Sequence, residues 1–138
     1  MQETKSPRVR VLVIDDEGRD RDLVAAILQP PGYEIRRAES GVHGLQEISA
    51  APPDLILLDV QMPGMDGFEV CRRLRRTPAT KDIPIIMITA SDDPALNRKA
   101  YAVGAQACVP KPLRRDGLIA TIQVVWGAAQ QGKPLADR

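Results

Sequence analysis

Apolar residues cluster in five short runs, Val9 to Ile14, Tyr33 to Ala38, Leu55 to Leu58, Ile83 to Ile88 and Ala107 to Val109, each of strand length. Between the runs the apolar positions open out to helical spacing: Leu23, Val24, Ile27 and Leu28; Val42, Leu45 and Ile48; Phe68, Cys71 and Leu74; Leu96, Ala100 and Val103. After the last run Leu118, Ile119, Ile122, Val125 and Trp126 form a stripe that suits a helix packed on a sheet. Breakers agree with these elements. Pro30-Pro31-Gly32 stops the first helix, Pro52-Pro53-Asp54 precedes the third strand, and Gly104 follows the fourth helix as a C-cap does. Ser91 or Asp92 is placed to cap the start of that helix, with Pro94 in its first turn. Five strand–helix units in series predict an α/β fold, a parallel sheet with helices on both faces. The unbroken apolar run Leu55 to Leu58 suits a strand buried on both sides.

A chain of 138 residues, 43% hydrophobic and 27% charged, is enough for one domain with a sizeable core. No apolar run approaches the roughly 20 residues that span a bilayer, and the N-terminus lacks the apolar stretch of a secretory signal. No membrane partner and a cytoplasmic location are therefore expected. A formal net charge of +1 argues against a nucleic-acid footprint, so no direct nucleic-acid binding is expected either. Arg72, Arg73, Arg75 and Arg76 read as the solvated face of a helix. Cys71 and Cys108 stand too far apart for a metal-ligand spacing and read as reduced, buried small apolar residues. His43, on a surface helix without a Cys or His at ligand spacing, reads as structural.

In a parallel sheet with right-handed crossovers all strands finish at one edge, where ligands collect. The first run ends in Asp15-Asp16-Glu17, the third in Asp59, the fourth in Thr89, and the fifth passes through Pro110 into Lys111-Pro112. Three aspartates, a hydroxyl and an ammonium thus converge. Crowded carboxylates raise one another's pKa unless a cation holds them ionised, and an all-oxygen set suits Mg2+. Such a site shields an arriving phosphoryl group while one carboxylate attacks phosphorus, with Lys111 and Thr89 available to its oxygens. Taken singly these residues read as helix caps, a surface lysine and a β-former; their concurrence at matching strand ends carries the reading.

The string Asp59-Val60-Gln61-Met62-Pro63-Gly64-Met65-Asp66-Gly67, with Val13-Ile14-Asp15-Asp16 before it and Thr89-Ala90 and Lys111-Pro112 after it, resembles a response-regulator receiver domain of two-component signalling, like the single-domain chemotaxis regulators. The resemblance covers residues 8–127, leaving 1–7 and 128–138 as expected flexible tails. It implies a flavodoxin-like (βα)5 three-layer sandwich with sheet order 2-1-3-4-5. Asp59 is then the phospho-acceptor, and the Mg2+ ligands are Asp16, Asp59 and the Gln61 backbone carbonyl, with Asp15 acting through water. Thr89 follows the phosphoryl group, Lys111 pairs with it, and a cis bond precedes Pro112. Gln61 and Ser91 hold the positions that tune dephosphorylation. The implied donor is a histidine kinase, a phosphotransfer protein or an acyl phosphate, and the receiver catalyses only its own phosphorylation and dephosphorylation. The implied output passes through the face of the fourth helix, fifth strand and fifth helix, to an effector protein, an output domain or a second copy as a homodimer. Residues 127 to 138 are too few to form such a domain, so either a single-domain regulator or a fragment of a longer protein is expected.

One departure stands out. The family usually places Tyr or Phe three residues before the lysine as part of the switch, and here Cys108 takes that place. Two rival functions fit less well. An aspartyl-phosphate phosphatase typically carries a second Asp two residues after its nucleophile, where this chain has Gln61. A flavin module on the same architecture needs a neutral, Ser/Thr-rich first turn, which Asp15-Asp16-Glu17 contradicts.

Overall fold

The computed structural model of the chain describes residues 8–132. Five strands alternate with five helices: β1 Val9–Ile14, α1 Gly18–Ile27, β2 Tyr33–Ala38, α2 Gly41–Ala50, β3 Leu55–Asp59, α3 Gly67–Arg76, β4 Ile85–Thr89, α4 Pro94–Ala102, β5 Ala107–Pro110 and α5 Arg115–Gln131. The strands form one sheet in the order β2-β1-β3-β4-β5. Every neighbouring pair is parallel, with Ile14 opposite Leu58, Asp59 opposite Ile88 and Thr89 opposite Pro110. This is the flavodoxin-like three-layer sandwich.

The period of two along each strand builds the layers. Leu12, Ile14, Ile56, Leu58, Ile85 and Met87 face one core, closed by Ile48 of α2, Phe68, Cys71 and Leu74 of α3 and Ala100 of α4. Val11, Val13, Leu55, Leu57, Ile86 and Ile88 face the other, closed by Val24 and Ile27 of α1 and by Leu118, Ile122 and Val125 of α5. β3 is buried along its whole length, as its composition predicts.

Several boundaries differ from the sequence pattern. β4 begins at Ile85, two residues after its apolar run starts, because Pro84 has no N–H for the ladder, although its carbonyl accepts from the Ile56 amide (2.9 Å). β3 and β4 each extend one residue, to Asp59 and Thr89, since the Val60 amide donates to Ile88 and the Lys111 amide to Thr89. Strand pairing therefore holds these two polar residues in register. Leu23 and Val42 are exposed rather than packed. α5 does not loosen at Gly127 but continues to Gln131, because one helical glycine costs only about 1 kcal/mol and helix-forming alanine and glutamine follow. α5 thus extends four residues past 127. Of the expected tails, residues 1–7 and 133–138 lie outside the described residues.

α4 is capped by Asp93, not by Ser91 or Asp92: its carboxylate accepts from the Ala95 amide (2.9 Å), and Ser91 Oγ accepts from the Asp93 amide (3.1 Å). Pro94 at the first helical position makes the residue before it the cap. At the other end Gly104 takes a positive φ of 111°, while its amide donates to Tyr101 and that of Ala105 to Ala100, the paired pattern of a glycine-terminated helix. Among the described residues no helix is long and apolar enough to cross a membrane.

The arginine run of α3 divides. Arg72 and Arg73 pair with Glu69 on the surface. Arg75 instead reaches inward and donates to the carbonyls of Lys81, Ile83 and Gly104 and to Gln106 Oε1, tying α3 to both loops that feed β4 and β5. Arg75→Ala strands those acceptors and is expected to destabilise the domain by about 1 to 3 kcal/mol. Urea denaturation measures the loss; a surface arginine gives a shift within about 0.5 kcal/mol.

Candidate functional site

The C-terminal ends of β1, β3, β4 and β5 bring the predicted polar residues together. Asp15 follows β1 and is 2% exposed, Asp59 ends β3 at 3%, and Thr89 ends β4 at 1%. Such burial of charge is rare without partners. One carboxylate oxygen from each of Asp15, Asp16 and Asp59 lies within 4.8 Å of the other two. Asp15 is buried and Asp16 is exposed, so one faces the interior of the site and the other its mouth.

Local structure aims each group. The Asp15 side chain accepts from the Glu17 amide (2.9 Å) and its carbonyl from Arg21 Nη1 (2.6 Å), which locks the β1–α1 turn. The Thr89 hydroxyl accepts from the Ser91 amide (3.1 Å), which leaves its own O–H to donate. After Asp59, Gly64 takes a positive φ of 76° in the loop, and Asp66 caps α3 by accepting from the Glu69 amide (2.9 Å). Gly67 packs so closely under β3 that a Cβ there meets the Asp59 carbonyl oxygen. Gln61, two residues past Asp59 in the loop that leads to α3, is exposed.

The Lys111 ammonium lies 2.8 Å from Asp20 Oδ2, 3.3 Å from Asp15 Oδ2 and 3.5 Å from Asp59 Oδ1. The peptide bond between Lys111 and Pro112 is cis, matching the expectation from the resemblance. Asp20, in the first turn of α1, is absent from the sequence-derived set. Its only sequence signal is its place in the first turn of the helix that follows Asp15-Asp16.

Electrostatics follow from this crowding. Burial, then the Asp15 carboxylate, push Asp59 up to about 7, and Lys111 only partly offsets them. Burial also raises Asp15, against the pull of the Glu17 amide and Lys111. Burial works against charge on Lys111, but Asp20, Asp59 and Asp15 together hold its pKa above the ordinary lysine range. One ammonium therefore serves three carboxylates and leaves Asp59 short of positive charge. A divalent cation held among the three carboxylate oxygens would relieve that deficit, and the all-oxygen set fits Mg2+.

One other expectation changes. Cys108 is half-buried beside the core of α2, α3 and α4, rather than fully buried like Cys71; both thiols are free. Tyr101, an aromatic residue on α4, is 54% exposed. His43 contributes its amide to the Ser40 cap of α2 and its ring nitrogens to the Glu39 amide and Glu47, consistent with a structural role.

Residues 11–123 match the family model of the response regulator receiver domain, and the chain belongs to this family. It is 39% identical over 115 residues to the phosphate regulon transcriptional regulatory protein PhoB of Pseudomonas aeruginosa, covering 83% of this chain and 50% of PhoB. It is 36% identical over 116 residues to the DNA-binding dual master transcriptional regulator RpaA of Synechocystis, covering 84% of this chain and 48% of RpaA. The chain spans about half the length of these curated relatives. The structure of the chemotaxis response regulator CheY4 of Vibrio cholerae superposes with a TM-score of 0.81 at 35% identity, covering 86% of this chain and 99% of CheY4.

Proposed function

We propose that this receiver domain is a phospho-acceptor switch of a two-component phosphorelay, in which Asp59 takes a phosphoryl group in a Mg2+-dependent reaction. The observation that carries the reading is the buried Asp59 carboxylate at the end of β3, 3.5 Å from the Lys111 ammonium and within reach of Asp15 and Asp16.

An Asp59 carboxylate oxygen forms a bond to phosphorus while the bond from phosphorus to a phosphohistidine nitrogen, or to the oxygen of an acyl phosphate, breaks. The imidazole or carboxylate leaves with that electron pair, and Asp59 becomes a mixed anhydride. Asp16, Asp59 and the Gln61 carbonyl would hold the cation, with Asp15 acting through water, and Mg2+ would supply charge neutralisation for the phosphoryl group and keep the carboxylates ionised. Lys111 supplies fixed positive charge to a phosphoryl oxygen, and the Thr89 O–H donates to another. Gln61 and Ser91 flank the product and govern access of the water that hydrolyses it. The chain then catalyses only its own phosphorylation and dephosphorylation, and does so in the cytoplasm.

Output passes through the α4-β5-α5 face. Thr89 moves toward the phosphoryl group and releases Ser91, whose hydroxyl supports the Asp93 cap of α4. Without an aromatic residue at position 108, this route runs through the β4–α4 loop. The signal comes from a histidine kinase or phosphotransfer protein. It is read by an effector protein, by an output domain such as PhoB and RpaA imply, or by a second copy. Intact-mass measurement after treatment with acetyl phosphate is expected to show one added phosphoryl group with Mg2+ and none in EDTA; equal labelling in both removes the cation from the proposal.

A further inference from the structure

The shortest contact of Lys111 is to Asp20, a carboxylate for which the phosphoryl-transfer scheme above has no role. The ammonium has three N–H donors, and three carboxylates surround it: Asp20 at 2.8 Å, Asp15 at 3.3 Å and Asp59 at 3.5 Å. A phosphoryl oxygen that recruits Lys111 must take a donor, or a share of the charge, from one of them. Asp15 and Asp59 are buried, and Asp59 itself carries the new group. Asp20 is 29% exposed and sits in the first turn of α1, where the helix dipole favours an anion whether or not a lysine is near. It is the partner that water can most readily satisfy in place of Lys111.

We propose that Asp20 is a positioning residue that competes with the phosphoryl group for Lys111. In the unphosphorylated chain it is the nearest of the three carboxylates to the ammonium and shares it with Asp15 and Asp59, so less of the lysine's charge falls on the nucleophile. On phosphorylation it must yield the lysine, and its own negative charge opposes the incoming anion. The contact thereby lowers the occupancy of the switched state at a given phosphoryl-donor level. The inference rests on Asp59 as acceptor.

Isothermal titration with beryllofluoride, an anion that stands in for the phosphoryl group on a carboxylate, tests it at saturating Mg2+. Asp20→Asn keeps the side chain's shape and removes its charge; it is expected to bind beryllofluoride about fivefold tighter than wild type, the size of effect for a partly exposed ion pair. The same variant is expected to bind Mg2+ alone no better, and slightly worse, because Lys111 then settles against Asp15 and Asp59. Asp20→Glu, which retains the charge, is expected to stay near wild type. This opposite response to anion and cation is one that a purely structural residue does not produce. Equal or weaker beryllofluoride binding by Asp20→Asn, or tighter binding of both probes, overturns the competition while leaving the acceptor assignment intact. Failure of the wild-type chain to take up beryllofluoride with Mg2+ overturns both.

Discussion

Asp59→Asn is expected to take up no phosphoryl group from acetyl phosphate, while wild type takes up one under the same conditions. The amide oxygen of asparagine carries no ionisable charge to donate to phosphorus, and no neighbouring carboxylate occupies its place at the end of β3. Asp15 is turned toward the Glu17 amide, and Asp16 is exposed at the mouth of the site. Asp15 also reaches Lys111, at 3.3 Å, but it stands at the end of β1 and not at the end of β3, where Asp59 is delivered. The loss should be complete within detection, because removal of a nucleophile leaves no covalent route. Circular dichroism of the variant should match wild type, since asparagine fits the same volume. Labelling of Asp59→Asn at the wild-type level, mapped to any other residue, would end the acceptor assignment.

The second large effect is on stability and needs no phosphoryl donor. Without a divalent cation, Asp59 titrates near 7 in the folded chain, against about 3.8 for an ordinary aspartate. Between those values the folded chain holds a proton that the unfolded chain has released, so folding is favoured most at the acid end of the window. As pH rises through 7 that contribution disappears, with a slope approaching 1.4 kcal/mol per pH unit, and the curve flattens above about pH 8. The raised Asp15 acts in the same direction. Lys111, also raised, stays protonated in both states throughout this window and adds no slope there. Asp59→Asn removes the dominant titration. In EDTA at pH 8 it is therefore expected to be more stable than wild type by about 2 to 4 kcal/mol, with little difference near pH 4. Added Mg2+ should stabilise wild type at pH 8 far more than the variant, because a cation that binds only the folded site shifts the equilibrium toward it. Urea denaturation across pH 4 to 8 measures this. Parallel stability curves for the two proteins would show that the Asp59 carboxylate is not under the strain its burial implies.

The site also shows how far single residues could be read before the fold was seen. Asp15, Asp16, Asp59, Thr89 and Lys111 were legible because each stands within two residues of the end of an apolar run, and parallel strands deliver such positions to one edge. The rule needs only chain order and strand direction. Asp20 was not legible, because it follows no strand; it reaches the site from the flank of α1, by a rotation that strand pairing does not specify. Arg75 was misread for a related reason. In a run of four arginines on one helix, periodicity shows that some must turn inward but not that loop carbonyls wait there to receive one. Asp93 displaced Ser91 and Asp92 as the cap of α4 once Pro94 was seen to occupy the first helical position. The position 127 given by the resemblance falls inside α5, which packs through Leu118, Ile122 and Val125 and continues to Gln131.

The sequence by itself determined the alternation of five strands and five helices, the two-sided burial of β3 and the set of polar residues that meet at one edge. These depend on periodicity and chain order, which are local or follow from the handedness of every crossover. Only the tertiary structure decided which carboxylate holds Lys111 most closely, how far each acid is pulled from its ordinary pKa, and which arginine of α3 is a strut. Those outcomes depend on distances of a few ångströms between residues far apart in the chain, and on how much water their neighbours exclude. Burial and field act through space, so they are settled only once every layer is in place.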